Sequence, residues 1–146
     1  DVLRMRLREV LREDEGGTYG VGVGASVSRY PRTEYSLALG FGADPQRLDE
    51  LSDQVFAQLD SLKQNGIDQS YIDKVQETQR REHEVRLQQN NFWVESLRSA
   101  YYYDTDPRRV LEYGKLIDGL DAAGLQEAIR LYFDTKRYVR VDLMPE

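Results

Sequence analysis

The sequence predicts an α+β domain, a mostly antiparallel sheet with helices packed on one face. Three observations carry that expectation. Two consecutive segments of alternating polarity are joined by a short link, amphipathic helical repeats precede and follow them, and a third alternating segment closes the chain. A hairpin whose third strand arrives only after a run of helices leaves those helices to one side of the sheet.

The elements follow in order. Leu3, Leu7, Val10 and Leu11 recur at i, i+4, i+7 and i+8, one face of a helix that Gly16-Gly17 should end. Tyr19, Val21, Val23, Ala25 and Val27 then alternate with Gly20, Gly22, Gly24, Ser26 and Ser28. Tyr35, Leu37, Leu39 and Phe41 alternate with Ser36, Ala38, Gly40 and Gly42. Both are half-buried strands, and the link Arg29-Tyr30-Pro31-Arg32-Thr33 suits an antiparallel hairpin. Asp44-Pro45 supplies an N-cap and a first helical residue for the stripe Leu48, Leu51, Val55, Leu59 and Leu62, which Asn65-Gly66 ends. Asp68 caps a helix running to about Asn90, mostly polar after Val75 and so exposed or packed on something further. Trp93, Leu97, Ala100 and Tyr101 mark the next helix. Asp106-Pro107 starts another, with Val110, Leu111, Gly114 and Ile117 inward, and Asp121 caps the last, with Leu125, Ala128, Ile129 and Tyr132. Val139, Val141 and Leu143 read as the final strand. Three strands make a small sheet, so at least one more is expected upstream. The start at Asp1, without Met and already in helical pattern, is read as a domain truncated at its N-terminus.

Composition narrows the function classes. At 146 residues the chain is long enough for one domain with its own core, and it has no cysteine for a disulfide or thiolate metal site. A net charge of -6 argues against nucleic acid, which calls for a basic stripe. No apolar run reaches the length of a membrane span.

Chemistry concentrates in Leu11–Gly24. Arg12 and Tyr19 flank an acidic run and a Gly-Gly turn, at the mouth of one helix–turn–strand corner. A planar cation and a phenol hydroxyl placed there can both grip a carbonyl or carboxylate of a bound chain. The ordinary alternative is an internal ion pair of Arg12 with Glu13 or Glu15 beside a plain strand tyrosine. Gly20-Val21-Gly22-Val23-Gly24-Ala25 matches a dinucleotide-binding pattern, but a second strand follows where a helix is required. His83 is the only histidine, with neither H-E-x-x-H nor H-x-x-E-H around it, and reads as a solvated side chain. Glu13, Asp14 and Glu15 are adjacent rather than opposed across a cleft, so they read as a solvated turn. Tyr101-Tyr102-Tyr103 reads as core with hydroxyls reaching water rather than as a peptide groove.

With these residues in view the chain resembles the C-terminal half of the pitrilysin-type (inverzincin) zinc metallopeptidases, the family of insulin-degrading enzyme and the mitochondrial processing peptidases. The likeness rests on Leu11-Arg12 ending a helix, a polar run, Gly17, and Tyr19 opening a strand, with six residues between the Arg and the Tyr. Asp44-Pro45 after the hairpin and a last strand ending near Pro145 add to it. The resemblance implies a single, partial C-terminal domain over residues 1–146 of a larger peptidase with two homologous halves around a peptide chamber. Zinc, its H-x-x-E-H ligands and the general-base Glu would lie in the N-terminal half. This half would close the chamber and contact substrate through Arg12 and Tyr19, stabilising the charged intermediate. No catalytic or metal-binding residue is then expected in this chain, and it should be inactive alone.

The expected partners are a peptide or unfolded polypeptide and the N-terminal half of the same protein, with no nucleic acid and no membrane span. An exposed sheet edge would let the isolated piece self-associate. The alternative function is a non-catalytic peptide-binding or scaffold subunit of a processing-peptidase-like complex. The residues do not fix a compartment; the bacterial periplasm is the expected one.

Overall fold

The computed structural model describes residues 1–14 and 18–144, and the side chains of residues 12–14 and 19 lie outside that description. The chain divides into two compact units, residues 1–67 with 125–146, and residues 68–124.

In the first unit the leading apolar stripe folds as expected at its start. α1 (Val2–Arg8) buries Val2, Leu3 and Leu7. Beyond it the backbone widens into a π-helical turn, Glu9–Asp14, which keeps Val10 and Leu11 buried. Ion pairs Arg4–Asp1 (2.9 Å) and Arg6–Glu9 (3.5 Å) run along its exposed side.

β1 (Thr18–Ser28) and β2 (Glu34–Ala43) form the hairpin, antiparallel from Gly20↔Gly42 to Ser28↔Glu34. The loop of residues 29–33 contains a cis Tyr30-Pro31 bond. Strand alternation separates the faces. Val21 opposite Phe41 and Val23 opposite Leu39 pack onto the helices, whereas glycine, serine and alanine hold the other, exposed face.

Asp44 accepts the Gln46 N–H at 2.8 Å and Pro45 opens a 3₁₀ turn, Pro45–Arg47, that runs into α2 (Leu48–Asn65). Leu51, Val55, Leu59 and Leu62 join Leu3, Leu7 and Leu11 in one core. Each fully buried leucine contributes about 1.5–3 kcal/mol. Gly66 ends α2 at φ 74°, where its N–H reaches the Leu62 carbonyl. The orphan carbonyls of this helix end are met by α6 (Ala122–Tyr132): Gln126 donates to Lys63 and Gln64 O, and Arg130 Nε donates to Lys63 O at 2.6 Å. A cation there also suits the negative end of the helix dipole.

The second unit contains α3 (Gln69–Leu87), α4 (Asn90–Tyr102), a 3₁₀ segment (Pro107–Glu112) and α5 (Tyr113–Asp118). Ile72, Val75, Ala100 and Ile117 are its buried residues. Gln76 donates to the carbonyls of Ile117 and Leu120, and Arg80 pairs with Asp118 at 2.6 Å, so α3 holds the end of α5.

The α+β class and the helices on one face of the hairpin stand, but three expectations need correction. Among the described residues the sheet has two strands, and Val139, Val141 and Leu143 join no ladder; they are 90%, 75% and 91% exposed. Their segment is tied instead to α2, by Tyr138 against Phe56 and Arg140 to Asp49. The helix expected from Pro107 begins as 3₁₀, whose tighter winding turns Leu111 outward, so it is exposed rather than inward. Tyr101 and Tyr102 are exposed rather than core.

Candidate functional site

The corner formed by the first helix and β1 is the place where local structure departs from regular geometry twice. The first departure is the π turn, a feature that concentrates at functional sites. Leu11 within it is completely buried, which fixes the backbone from which Arg12 springs. The second is in β1. Thr18 is opposite Ala43 and Gly20 opposite Gly42, so two steps on β1 meet one on β2, and Tyr19 is the extra residue of a bulge. A bulge bends its strand and re-aims the side chain it carries.

Thr18 holds that bulge. Its buried hydroxyl lies 2.7 Å from the Gly42 carbonyl oxygen and 3.1 Å from that of Gly20, and accepts the Gly20 N–H at 3.2 Å. One side chain thereby satisfies backbone groups that the slipped register would otherwise leave short. The π turn and β1 are in direct contact, so the backbones that carry Arg12 and Tyr19 belong to touching elements. The Arg12 and Tyr19 side chains themselves, with Glu13, Asp14 and Glu15, lie outside the described residues.

The other sequence candidates are placed plainly. The Gly20–Ala25 run lies within β1 and is followed by β2, with no helix N-terminus to receive a phosphate. His83 lies 4.8 Å from the Tyr113 ring and 5.9 Å from that of Phe92, an aromatic cluster of the second unit. Among the described residues no group of three or more His, Cys, Asp or Glu could hold a metal ion. The chain has one histidine and no cysteine, the residue types that supply most zinc ligands. Among the described residues no helix is long and apolar enough to cross a membrane.

Exposed charge pairs shape the electrostatics elsewhere. In the second unit the Arg108 side chain hydrogen-bonds Asp106, helped by the Arg108 N–H, and holds that carboxyl at about 2.

Thr18 was missed by sequence reasoning. A lone threonine before an aromatic is ordinary, and a bulge has no signature beyond the nearby glycines. The π turn is equally silent, because Leu7, Val10 and Leu11 fit an α-helical stripe as well.

The profile of the peptidase M16 inactive domain matches residues 2–79, more than half of the chain. The chain belongs to the peptidase M16 inactive domain family. Among curated proteins, this M16 domain is 26% identical to a zinc protease PQQL-like protein of Arabidopsis thaliana, over 99% of the domain and 17% of that protein. Its fold matches the periplasmic protease PqqL of Escherichia coli with a TM-score of 0.70 at 22% identity, covering 89% of the domain and 15% of that chain. It also matches a peptidase M16 inactive domain from Pseudomonas fluorescens, with a TM-score of 0.73 at 17% identity, covering 88% and 30%. The M16 domain thus spans about a sixth of the length of its curated relative.

Proposed function

We propose that this M16 domain is the substrate-contacting, chamber-closing wall of a zinc-dependent endopeptidase that cleaves peptides or unfolded segments. The metal and its ligands would lie elsewhere in the longer polypeptide, and the domain alone would be inactive. The observation that carries the reading is the corner itself: a π turn locked by buried Leu11 touches a bulged strand start locked by Thr18, and these elements carry Arg12 and Tyr19.

A guanidinium and a phenol hydroxyl based on rigid backbone are donors only, or donors first, toward a peptide carbonyl. Held in place before the reaction, they would align the substrate backbone and favour negative charge on the carbonyl oxygen as it develops. One preorganised donor of this kind is worth about 2.7–4 kcal/mol in the transition state. The periplasm is the compartment we assign, by analogy with the Escherichia coli relative.

The test uses the full-length protein. Arg12→Ala and Tyr19→Phe should each lower kcat/KM for peptide cleavage by roughly one to three decades. Arg8→Ala, an exposed position on α1, should not. Unchanged kinetics in both Arg12 and Tyr19 variants would refute the role.

A further inference from the structure

Of the asparagines in the chain, Asn65, Asn90 and Asn91, only Asn65 precedes a glycine. Glycine has no Cβ, so no bulk keeps the next peptide nitrogen away from the asparagine's own side-chain carbonyl. In a mobile chain such a pair reacts with itself. The Gly66 nitrogen gives up its proton to solvent base and attacks Cγ of Asn65; a C–N bond forms and Nδ2 leaves as ammonia. Water then opens the five-membered imide at either carbonyl. One opening gives aspartate with the ordinary main chain, the other isoaspartate, whose main chain runs through Cγ. The sum is amide plus water to carboxylic acid plus ammonia, with no change of oxidation state.

The fold holds the reacting atoms apart. Asn65 is the exposed last residue of α2, and its Nδ2 donates to Ser61 Oγ at 3.2 Å, one turn back along the helix. The Gly66 N–H donates to the Leu62 carbonyl at 3.0 Å. Closing the imide ring breaks both bonds, because Cγ has to swing forward while the Gly66 nitrogen leaves the helix. Helix ends open more readily than helix centres, but α6 resists that here. Gln126 Nε2 donates to the Lys63 and Gln64 carbonyls, both at 3.1 Å, and Arg130 Nε donates to that of Lys63 at 2.6 Å. The Gln126 side chain also covers Gly66, where a Cβ would lie 3.5 Å from it. These contacts join residues 63–66 to α6 within one compact unit.

We infer that Asn65-Gly66 is a covalent modification site of this M16 domain, converted by water to aspartate and isoaspartate, and that Gln126 and Arg130 set its rate by keeping the last turn of α2 closed. The conversion weakens its own restraint. Aspartate adds negative charge at the negative end of the α2 dipole. Isoaspartate adds a methylene to the main chain between Gln64 and Gly66, which moves Gly66 out of register with Gln126. The inference does not depend on the proposed substrate role.

The experiment ages the full-length protein at mildly alkaline pH, cleaves it with trypsin and follows the peptide of residues 64–74 by mass spectrometry, with chromatography to separate the two products. Residues 64–74 contain no other asparagine. The native parent should convert at least about 100-fold more slowly than the same protein unfolded in urea. Gln126→Ala and Arg130→Gln, each shown by circular dichroism to be folded, should convert about tenfold faster than the native parent, the effect of about 1.4 kcal/mol on the open population. Thr18→Val acts beside Ala43, near the other end of α2, and should stay within about twofold of the parent. A measurement on the parent alone stands beside these: the exchange protection of the Gly66 amide should match the slowing of the conversion to within about tenfold, since both need the same opening. Equal rates in native and unfolded parent would overturn the inference, as would a fast-exchanging Gly66 amide beside slow conversion. Folded α6 variants no faster than the parent would also overturn it, and so would Thr18→Val accelerating as much as they do, because the reaction would then follow global unfolding.

Discussion

Replacing Thr18 by valine keeps its shape and removes one oxygen, which makes it a sharp probe of the corner. That oxygen lies within hydrogen-bonding distance of the Gly42 and Gly20 carbonyls and accepts the Gly20 N–H, in a side chain that is 9% exposed. Its loss removes one donated and one accepted hydrogen bond, whose partners are the backbones of the exposed residues Gly42 and Gly20. At about 0.5–1.5 kcal/mol net for each bond, the cost is about 1–3 kcal/mol. For a chain of about this size each kcal/mol lowers Tm by about 2–4 °C, so Thr18→Val should melt roughly 3–10 °C lower. The same change frees the bulge that carries Tyr19. A displacement of about 1 Å in a positioned group can cost up to 10²-fold, so peptide cleavage by the full-length variant should fall at least tenfold. Thr18→Ser retains the oxygen and should preserve both Tm and kcat/KM. Calorimetry and steady-state kinetics on the two variants decide the matter. A valine variant within about 1 °C of the parent, or a serine variant as impaired as valine, would refute the assignment of Thr18 as the lock.

Further outcomes follow from other parts of the structure. The Asp106 carboxyl, depressed to about 2 mainly by the Arg108 side chain, should show an NMR titration midpoint near 2, and Arg108→Ala should return it toward the usual carboxylate range. Because the folded pKa lies below the unfolded one, the stabilisation from this cap is complete above the unfolded pKa and is lost as pH falls through about 2; stability measured from pH 5 to pH 8 should therefore not respond to Asp106. Gly66 adopts φ 74° and ψ -156°, a region open essentially to glycine, and an added Cβ would stand 3.5 Å from the Gln126 side chain. Gly66→Ala should cost about 1–3 kcal/mol in urea unfolding, and a loss below about 0.3 kcal/mol would contradict the geometry.

Much of the fold was legible because its signals are local. The hairpin follows from period-2 alternation on both sides of a five-residue link, and it forms between Ser28 and Glu34 as read. Asp44, Asp68, Asp106 and Asp121 each accept a backbone N–H at the start of their helix or 3₁₀ turn, because a short carboxylate side chain can reach the orphan donors there. The errors come where the deciding partner is not local. Val139, Val141 and Leu143 have a strand's alternation, but pairing needs a neighbour, and among the described residues α2 holds the segment apart from β2. Leu111 fits an α-helical stripe only if the winding is α, and Pro107 begins a 3₁₀ run instead. At the candidate site the sequence located the corner but not its two irregularities. Both arise from how Leu11 and Thr18 satisfy burial and backbone hydrogen bonding at once, a tertiary demand that no spacing of residue types announces.

The central claim is that Arg12 and Tyr19 reach a bound peptide together. A structure of the full-length protein with an uncleaved peptide measures it directly. The account predicts the Arg12 guanidinium and the Tyr19 hydroxyl each within about 3.2 Å of a peptide carbonyl oxygen. A peptide bound in the chamber with either side chain folded into its own domain, or turned to the opposite side of the sheet, would contradict it.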